Sequence, residues 1–231
     1  VYRTAEAQYR EILDLCATLQ KRAATELFPA EEGSALLFNS LPYDVSPLIE
    51  LPESWNGYSV CDESGRELPV QHENGRTVVR VRLPKLAFSV LKRGKRCRVP
   101  ADTDSGELVL ENSRIRYVFA PDATLIEAVE KDSGRSVLPP GAPGNEFALY
   151  VDRALTYEAW DVDPYYPNQT PLRPQSVRAR KVLAGPLRSA LEFELKISNS
   201  TIRQTVVLEA EGTRLDFRTE VEWNESRKML R

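Results

Sequence analysis

The first 27 residues carry a hydrophobic pattern with helical spacing. Apolar side chains recur every three or four positions, and charged side chains fall between them. This spacing predicts an amphipathic α-helix, and Pro29 and Gly33 predict its end. No second helix is predicted to cover its apolar face, so the helix either packs on the β part or belongs to a helical bundle whose other members are missing. The apolar positions are Tyr2, Ala5, Tyr9, Ile12, Cys16, Leu19 and Ala23.

From Ser34 onward the hydrophobic period changes to two, which is typical of β-strands. Turn signals separate the alternating segments, and Asn74-Gly75 predicts a type I′ hairpin. The predicted strands cover residues 35–39, 48–51, 58–61, 68–72, 77–83, 88–92, 108–110, 115–119, 125–130, 147–152, 177–184, 188–197, 201–209 and 215–223.

A polar, punctuated stretch at residues 94–106 predicts a subdomain boundary. Five positive charges lie within residues 92–98, and we interpret this basic run as a solvated linker. The predicted organisation is therefore a helix with its linker at residues 1–33, a small β subdomain at 34–100, and part of a larger β-sandwich at 101–231.

The segment from residue 188 to residue 223 has the clearest strand pattern. Apolar residues alternate with charged ones through three consecutive strands joined by short turns. An antiparallel sheet with one face on a core and one face in water has this pattern. Many short strands without helical crossovers predict a mainly β protein, an antiparallel β-sandwich.

Composition and charge narrow the function classes. The 231 residues include 31 Lys and Arg against 34 Asp and Glu, and 42% are hydrophobic. Positive and negative charges are mixed along the chain and nearly cancel, which argues against a nucleic-acid-binding protein because such a protein has a basic patch. No apolar run approaches the roughly 20 residues of a membrane span, and the first residues do not resemble a signal peptide.

Histidine and cysteine usage narrows the chemistry. The single histidine, His72, excludes a histidine-rich zinc site and a multi-histidine redox centre, and its position beside Asn74-Gly75 is typical of a surface hairpin histidine. The three cysteines are widely spaced, form no CxxC pair, and predict a reducing, cytoplasmic compartment. No glycine-rich phosphate-binding motif occurs.

Residues 157–174, which we name the aromatic–acidic loop, interrupt the strand pattern with four prolines, three tyrosines, one tryptophan and three carboxylates. Trp160 can stack under a sugar ring, Asp161 and Asp163 can accept hydrogen bonds from hydroxyl groups, and Tyr165 or Tyr166 can donate one. Alternatively, the aromatic residues pin the loop to the sheet and the aspartates cap turns. The two aspartates flank one residue, which is weak evidence for a catalytic carboxylate pair.

Beyond these patterns, the sequence resembles the region that follows the catalytic domain in α-mannosidases of glycoside hydrolase family 38. The resemblance extends over nearly the whole chain, as eleven short blocks in the family's order. These blocks are residues 37–42, 60–71, 83–88, 110–112, 130–135, 144–145, 159–163, 185–190, 200–205, 215–223 and 228–230.

The resemblance implies a fragment: the last helix of a helical bundle, a linking β subdomain and the start of a large sandwich of galactose-mutarotase-like type. The intact enzyme would hydrolyse terminal α-mannosides with retention. Its catalytic carboxylates and divalent metal, expected to be zinc, would lie in a catalytic domain outside this chain. No catalytic or metal-binding residue and no cofactor is assigned to the fragment, which is expected to be inactive alone.

Within this resemblance, the aromatic–acidic loop would face the catalytic domain in cis. Trp160, Asp161, Asp163 and Tyr165 would then help to shape the sugar site. Two alternatives stay open, a stand-alone carbohydrate-binding module and an aldose 1-epimerase-like protein. A homo-oligomer is also open, whereas nucleic acid and membrane are not expected partners.

Overall fold

The computed structural model describes residues 2–28, 31–99, 106–157 and 160–231. The chain divides into two compact units, Val1–Val99 and Pro100–Arg231. The first unit contains α1 (Tyr2–Leu27), β1 (Ser34–Phe38), β2 (Leu48–Leu51), β3 (Tyr58–Cys61), β4 (Val70–Glu73), β5 (Arg76–Arg80) and β6 (Phe88–Arg96). The second contains β7 (Val109–Glu111), β8 (Ile115–Phe119), β9 (Leu125–Glu130), β10 (Leu149–Val151), β11 (Gln175–Ala184), β12 (Arg188–Ile197), β13 (Ser200–Glu209), β14 (Leu215–Glu222) and β15 (Lys228–Leu230).

The predicted N-terminal helix is confirmed as α1, but its apolar face is not covered in this chain. None of its 26 residues, all of which the structure describes, is buried. Directly after the helix, the Phe28 ring packs against the ring of Phe88 in β6, with 4.7 Å between the centroids. This contact at the end of the helix fixes the path of the chain as it leaves α1, whereas the hydrophobic stripe of the helix is exposed to water.

The first unit contains two antiparallel three-stranded sheets around one core. The strand orders are β1-β6-β3 and β2-β5-β4. The core side chains come from both sheets and from a short 3₁₀ turn that buries Trp55. They are Leu51, Trp55, Val60, Val79, Val81, Leu83 and Leu91.

The turn between β4 and β5 has the geometry predicted from Asn74-Gly75. Both residues have positive φ, +49° at Asn74 and +73° at Gly75, as a type I′ turn requires. Glu73 pairs directly with Arg76 across the turn. The hairpin prediction is therefore confirmed.

The prediction of a solvated linker at residues 92–98 is wrong for its first five residues. Strand β6 continues to Arg96, which pairs with Tyr58 of β3. The Cζ atoms of Arg93 and Arg96 lie 4.8 and 5.4 Å from the centroid of the Tyr58 ring, a cation–π arrangement that stabilises the extended strand. A Cβ at Gly94 would lie 2.3 Å from the Ser59 Oγ atom, so any larger residue there would force the Ser59 side chain to move.

The second unit has a three-stranded sheet, β7-β8-β9, and a four-stranded sheet, β11-β12-β13-β14, both antiparallel. A third, two-stranded sheet pairs β10 with β15. Strand β10 lies within the predicted strand 147–152, whereas β15 is not among the predicted strands. Apolar side chains of the two larger sheets share one core, and the rings of Phe119 and Phe193 lie 5.7 Å apart within it.

The predicted fold class, mainly antiparallel β with one N-terminal helix, is confirmed, and the paired sheets agree with a sandwich. The likeness to a galactose-mutarotase sandwich stays a prediction. In the part of the chain that the structure describes, no helix has the length and hydrophobicity of a membrane span.

Candidate functional site

Near its own C-terminal end, the aromatic–acidic loop is hydrogen-bonded to strand β10 of the second unit. The Gln169 side chain acts as a clamp: its amide oxygen accepts from the Val151 N–H, and its amide nitrogen donates to the Val151 carbonyl, both at 3.0 Å. Leu172 and Leu149 then exchange two backbone hydrogen bonds of 3.0 Å. Residues 169–172 thus extend the β10 edge.

One tyrosine of the loop also has an anchoring role. The Tyr166 ring meets the Tyr150 ring edge-on, with 5.1 Å between the centroids. Arg231 donates a hydrogen bond to the Tyr166 hydroxyl group, and its Cζ atom lies 5.5 Å from the centroid of that ring. The interpretation that aromatic residues pin the loop therefore describes Tyr166.

Asp163 shapes the turn before Tyr166. Its Oδ1 atom accepts a hydrogen bond from the Tyr165 N–H at 2.9 Å, and its carbonyl accepts one from the Tyr166 N–H at 3.1 Å. This is the local capping geometry that aspartate favours in turns. Tyr165, beside it, exposes most of its side chain.

Trp160 and Asp161 lie in an earlier turn that is closed by backbone hydrogen bonds. Both N–H groups donate to the Tyr157 carbonyl, at 2.7 and 3.0 Å, and Tyr157 has a φ of +55°. The Trp160 side chain is 90% exposed, and Asp161 accepts a bond from the Thr156 hydroxyl group at 3.3 Å. Glu158 and Ala159 of the aromatic–acidic loop lie outside the described residues.

The four predicted sugar-contact residues therefore occupy two successive turns. Trp160 and Asp161 are consecutive residues and both are exposed, whereas Asp163 is used to hold the turn that presents Tyr165. An exposed indole face beside a carboxylate can stack on a sugar ring and accept hydrogen bonds from its hydroxyl groups. Chemically, the arrangement is suited to binding.

A metal site requires several ligands in one place. Within the described residues, no three His, Cys, Asp or Glu side chains lie close enough to bind a metal ion together. The side chains in the described part of the chain therefore do not form a site for the zinc that the resemblance implies for the complete enzyme.

His72 has a more structured environment than a surface hairpin histidine. It lies in β4 and is partly buried, and burial lowers its pKa below the ordinary value of 6.5. Its ring nitrogens contact the Thr77 hydroxyl group and the Cys97 thiol. The predicted position in the Asn74-Gly75 hairpin is confirmed, but the side chain is half-buried and has two partners, so the expectation of a surface side chain is corrected.

Glu225 is a structurally important acid that the sequence pattern did not reveal. Its side chain is only 2% exposed and accepts hydrogen bonds from Lys228 at 2.7 Å, from the Asn199 N–H at 2.6 Å, and from the hydroxyl groups of Ser200 and Ser198 at 3.2 Å. These donors, the Lys228 ammonium foremost, lower the pKa of Glu225 to about 2. We name this group the Glu225 clasp; it ties the β12–β13 turn to the segment before β15.

Asparagines in three of the blocks that carry the family resemblance have structural roles. Asn39 donates to three backbone carbonyls, Tyr43, Leu83 and Pro84. Asn112 donates to the carbonyls of Glu209 and Gly212, and Asn145 bonds the Ala123 carbonyl and the Gln204 side chain. Each asparagine joins segments that are distant in the chain or closes a loop. These three blocks of the family resemblance therefore have a structural role.

These observations define a class: an antiparallel β protein whose candidate site is an exposed aromatic–acidic loop. Residues 110–231 match the family model of the C-terminal domain of glycosyl hydrolases family 38. The chain belongs to this family.

Full-length relatives extend the similarity to the first unit. Alpha-mannosidase 2C1 of Homo sapiens is 30% identical over 100% of this chain, and that of Mus musculus is 30% identical over 96%. Alpha-mannosidase G of Dictyostelium discoideum is 26% identical over 85%. The aligned parts make up 22%, 21% and 20% of these proteins, so the chain spans about a fifth of their length.

Proposed function

We propose that this chain is a non-catalytic region of an α-mannosidase that hydrolyses terminal α-mannosides with retention. One observation carries the proposal: the whole chain aligns with alpha-mannosidase 2C1 of Homo sapiens, and residues 110–231 match the family 38 C-terminal domain. Because the alignment covers only 22% of the human relative, the remainder of such an enzyme is long enough to contain a catalytic domain in the same chain.

The reacting groups belong, in this proposal, to the part of the enzyme outside this chain. A carboxylate nucleophile, an acid/base carboxylate and a divalent metal, expected to be zinc, would lie there. The support for this division is the alignment, which covers 22% of the human relative and so leaves most of its length outside this chain.

The aromatic–acidic loop would contribute to the sugar pocket through Trp160 and Asp161. The support is the division of labour within the loop: Gln169, Tyr166 and Asp163 hold its conformation, while the Trp160 side chain is almost fully exposed. Tyr165, presented by the Asp163 turn, would be the neighbouring hydroxyl donor.

The exposed side of α1 would be covered by further helices of the same enzyme. Its large apolar side chains, Tyr9, Ile12 and Leu19 among them, are exposed in this chain, and a stripe of that kind normally packs on a neighbour.

We place the enzyme in the cytoplasm, because its three cysteines are unpaired and free thiols persist in reducing compartments. Homo-oligomerisation is open.

The test of the enzyme assignment compares two chains. A chain that adds the family's catalytic domain to this region should release the aglycone from an aryl α-mannoside, and the 231-residue chain should not. Absence of α-mannosidase activity in the longer chain, with the fold verified by circular dichroism, contradicts the proposal.

The loop is tested separately by Asp161→Ala in the active enzyme. Loss of one hydrogen bond to a charged group should lower kcat/KM by roughly tenfold or more. Asp132→Ala, at an exposed aspartate outside the loop, is the matched control and should leave kcat/KM unchanged. Equal kcat/KM for the wild type and Asp161→Ala would eliminate the sugar-contact role.

A stand-alone carbohydrate-binding module is the second candidate, favoured by the exposure of Trp160. Isothermal titration of the 231-residue chain with mannose oligosaccharides separates the two: binding that Trp160→Ala abolishes supports the module. The epimerase alternative is disfavoured, because that chemistry uses several histidines and His72, the only histidine in the sequence, lies against Thr77 and Cys97.

A further inference from the structure

A cysteine–histidine–threonine group lies in the first unit, formed by three different strands or strand ends. The His72 Nε2 atom is 3.1 Å from the Cys97 Sγ atom, and the Nδ1 atom is 3.0 Å from the Thr77 Oγ1 atom. His72 belongs to β4, Thr77 to β5, and Cys97 directly follows β6. Residues 72 and 97 are 25 positions apart, so only the fold brings them together.

Hydrogen-bond accounting defines where the imidazole proton lies. The Thr77 hydroxyl group has one hydrogen, which it donates to the Trp55 carbonyl at 2.9 Å. Toward His72 the same oxygen can therefore only accept, so the proton of a neutral imidazole is on Nδ1. The Nε2 lone pair then points to the thiol of Cys97. Thr77 is fully buried, which fixes this arrangement.

The His72 imidazole is available as a base beside an exposed thiol. Partial burial lowers the pKa of His72, so the ring is neutral near pH 7 and able to accept a proton. Cys97 is exposed to solvent, and its sequence neighbours are Arg96 and Arg98, with Lys95 one residue further. An imidazole nitrogen within hydrogen-bond distance of a thiol is the arrangement in which a base activates a cysteine nucleophile, and the basic residues of this segment attract an anionic reagent.

We propose that Cys97 is a reactive thiol that exchanges with small anionic disulfides of the glutathione type, with His72 as its base. The proposal is independent of the α-mannosidase assignment, since it uses a site on the first unit that the sugar-contact loop does not share.

The reaction balances without any further reagent. The Cys97 proton passes to the His72 Nε2 atom, and the thiolate attacks one sulfur of the disulfide. The new sulfur–sulfur bond forms as the old one breaks, and the departing glutathione thiolate takes the proton from His72. The products are a mixed disulfide at Cys97 and one glutathione thiol.

Cys16 provides an internal reference for the test. It is also exposed, but it lies in α1, and the only histidine of the chain is His72. The 231-residue chain is treated with glutathione disulfide at pH 7, and the modified fraction of each cysteine is followed by mass spectrometry. A protease that cleaves after glutamate separates the three cysteines, whereas trypsin would leave Cys97 on a dipeptide.

Cys97 should react about fivefold faster than Cys16, or more, because the His72 Nε2 atom lies 3.1 Å from its sulfur and can take up the thiol proton. In His72→Asn, the asparagine amide can still donate to Thr77 but supplies no base. Its Cys97 rate should fall to within about twofold of the Cys16 rate, while Cys16 itself is unchanged.

The charge of the reagent gives a second arm. Cystamine, a cationic disulfide, should react with Cys97 more slowly than glutathione disulfide does, relative to Cys16, since the basic run repels it. Rapid modification of the half-buried Cys61 would reveal an unfolded variant, in which case His72→Gln replaces His72→Asn. Equal rates at Cys97 and Cys16 in the wild type, or a Cys97 rate that neither His72 variant lowers, would overturn the proposal.

Discussion

Helix α1 and strand β12 are both regular amphipathic segments, yet they differ completely in burial. In β12 the residues Leu191, Phe193, Leu195 and Ile197 are essentially inaccessible, and they face the sheet β7-β8-β9 across the core of the second unit. In α1 the corresponding stripe is open to water: Tyr9 is 68% exposed, and so is Leu13 beside the stripe. The same kind of pattern therefore has opposite energetic consequences in the two regions.

The difference shows what a hydrophobic period encodes. The period defines the face that can be buried, because side chains repeat every two residues in a strand and every 3.6 in a helix. Burial of one large apolar side chain contributes about 1.5–3 kcal/mol, but only when a second surface removes it from water. In β12 that surface is present within the chain, and in α1 it is not.

The largest effect is expected for Phe193→Ala. Phe193 is fully buried and packs on Phe119, and such a truncation costs about 3–5 kcal/mol through lost burial and a residual cavity. Hydrogen exchange of the β12 and β13 amides in the 231-residue chain should accelerate roughly 100-fold or more.

Phe217→Ala is the matched control in the same sheet. Phe217 is 41% exposed and should accelerate exchange far less than Phe193→Ala does. Similar acceleration in the two variants would mean that burial does not set the stability of this sheet.

An intermediate effect is expected at the Glu225 clasp, a polar contribution that α1 lacks. The folded pKa of about 2 lies below the ordinary 4.5. The charged carboxylate therefore stabilises the fold fully above pH 4.5, and this stabilisation is lost as the pH falls toward 2. The Tm of Glu225→Gln should be lower than that of the wild type at pH 7, and the difference should shrink through this window.

Glu220→Gln controls for the removal of a negative charge from the neighbouring strand. Glu220 is exposed in β14, so its Tm difference from the wild type should be small at every pH. If the Glu225→Gln difference stays constant between pH 7 and pH 3, the clasp does not act through its charge.

The smallest effect is expected for Leu13→Ala in α1. Because Leu13 is exposed and alanine is a good helix former, the free energy of unfolding should change by less than about 0.5 kcal/mol. Urea denaturation followed by circular dichroism measures it in the 231-residue chain. A loss of 2 kcal/mol or more would show that the helix face is covered after all.

Most strands follow from the sequence pattern, because alternation is a local property. The strand 115–119, for example, was predicted with the bounds that β8 has. The pattern failed at Arg93–Arg96, where charge indicated a linker. Stacking of Arg93 and Arg96 on Tyr58, about 35 residues away, makes those residues a strand, and a local pattern carries no record of that contact.

The candidate loop was predicted only in part. Its composition indicated an irregular, exposed segment, and two opposing interpretations were open for its residues. The structure divides them: Tyr166 and Asp163 have anchoring and turn-forming contacts, and Trp160 is exposed. Composition could not make this division, since it depends on which side chains reach β10 and Arg231.

The sequence by itself determined the order and type of most elements, the Asn74-Gly75 hairpin and the mainly β fold, because each of these rests on backbone preferences or periodicity over a few residues. Only the tertiary structure decided that α1 is exposed, that Glu225 collects four donors, and that His72 meets Cys97. These features depend on distances between segments far apart in the chain, and chain folding sets those distances.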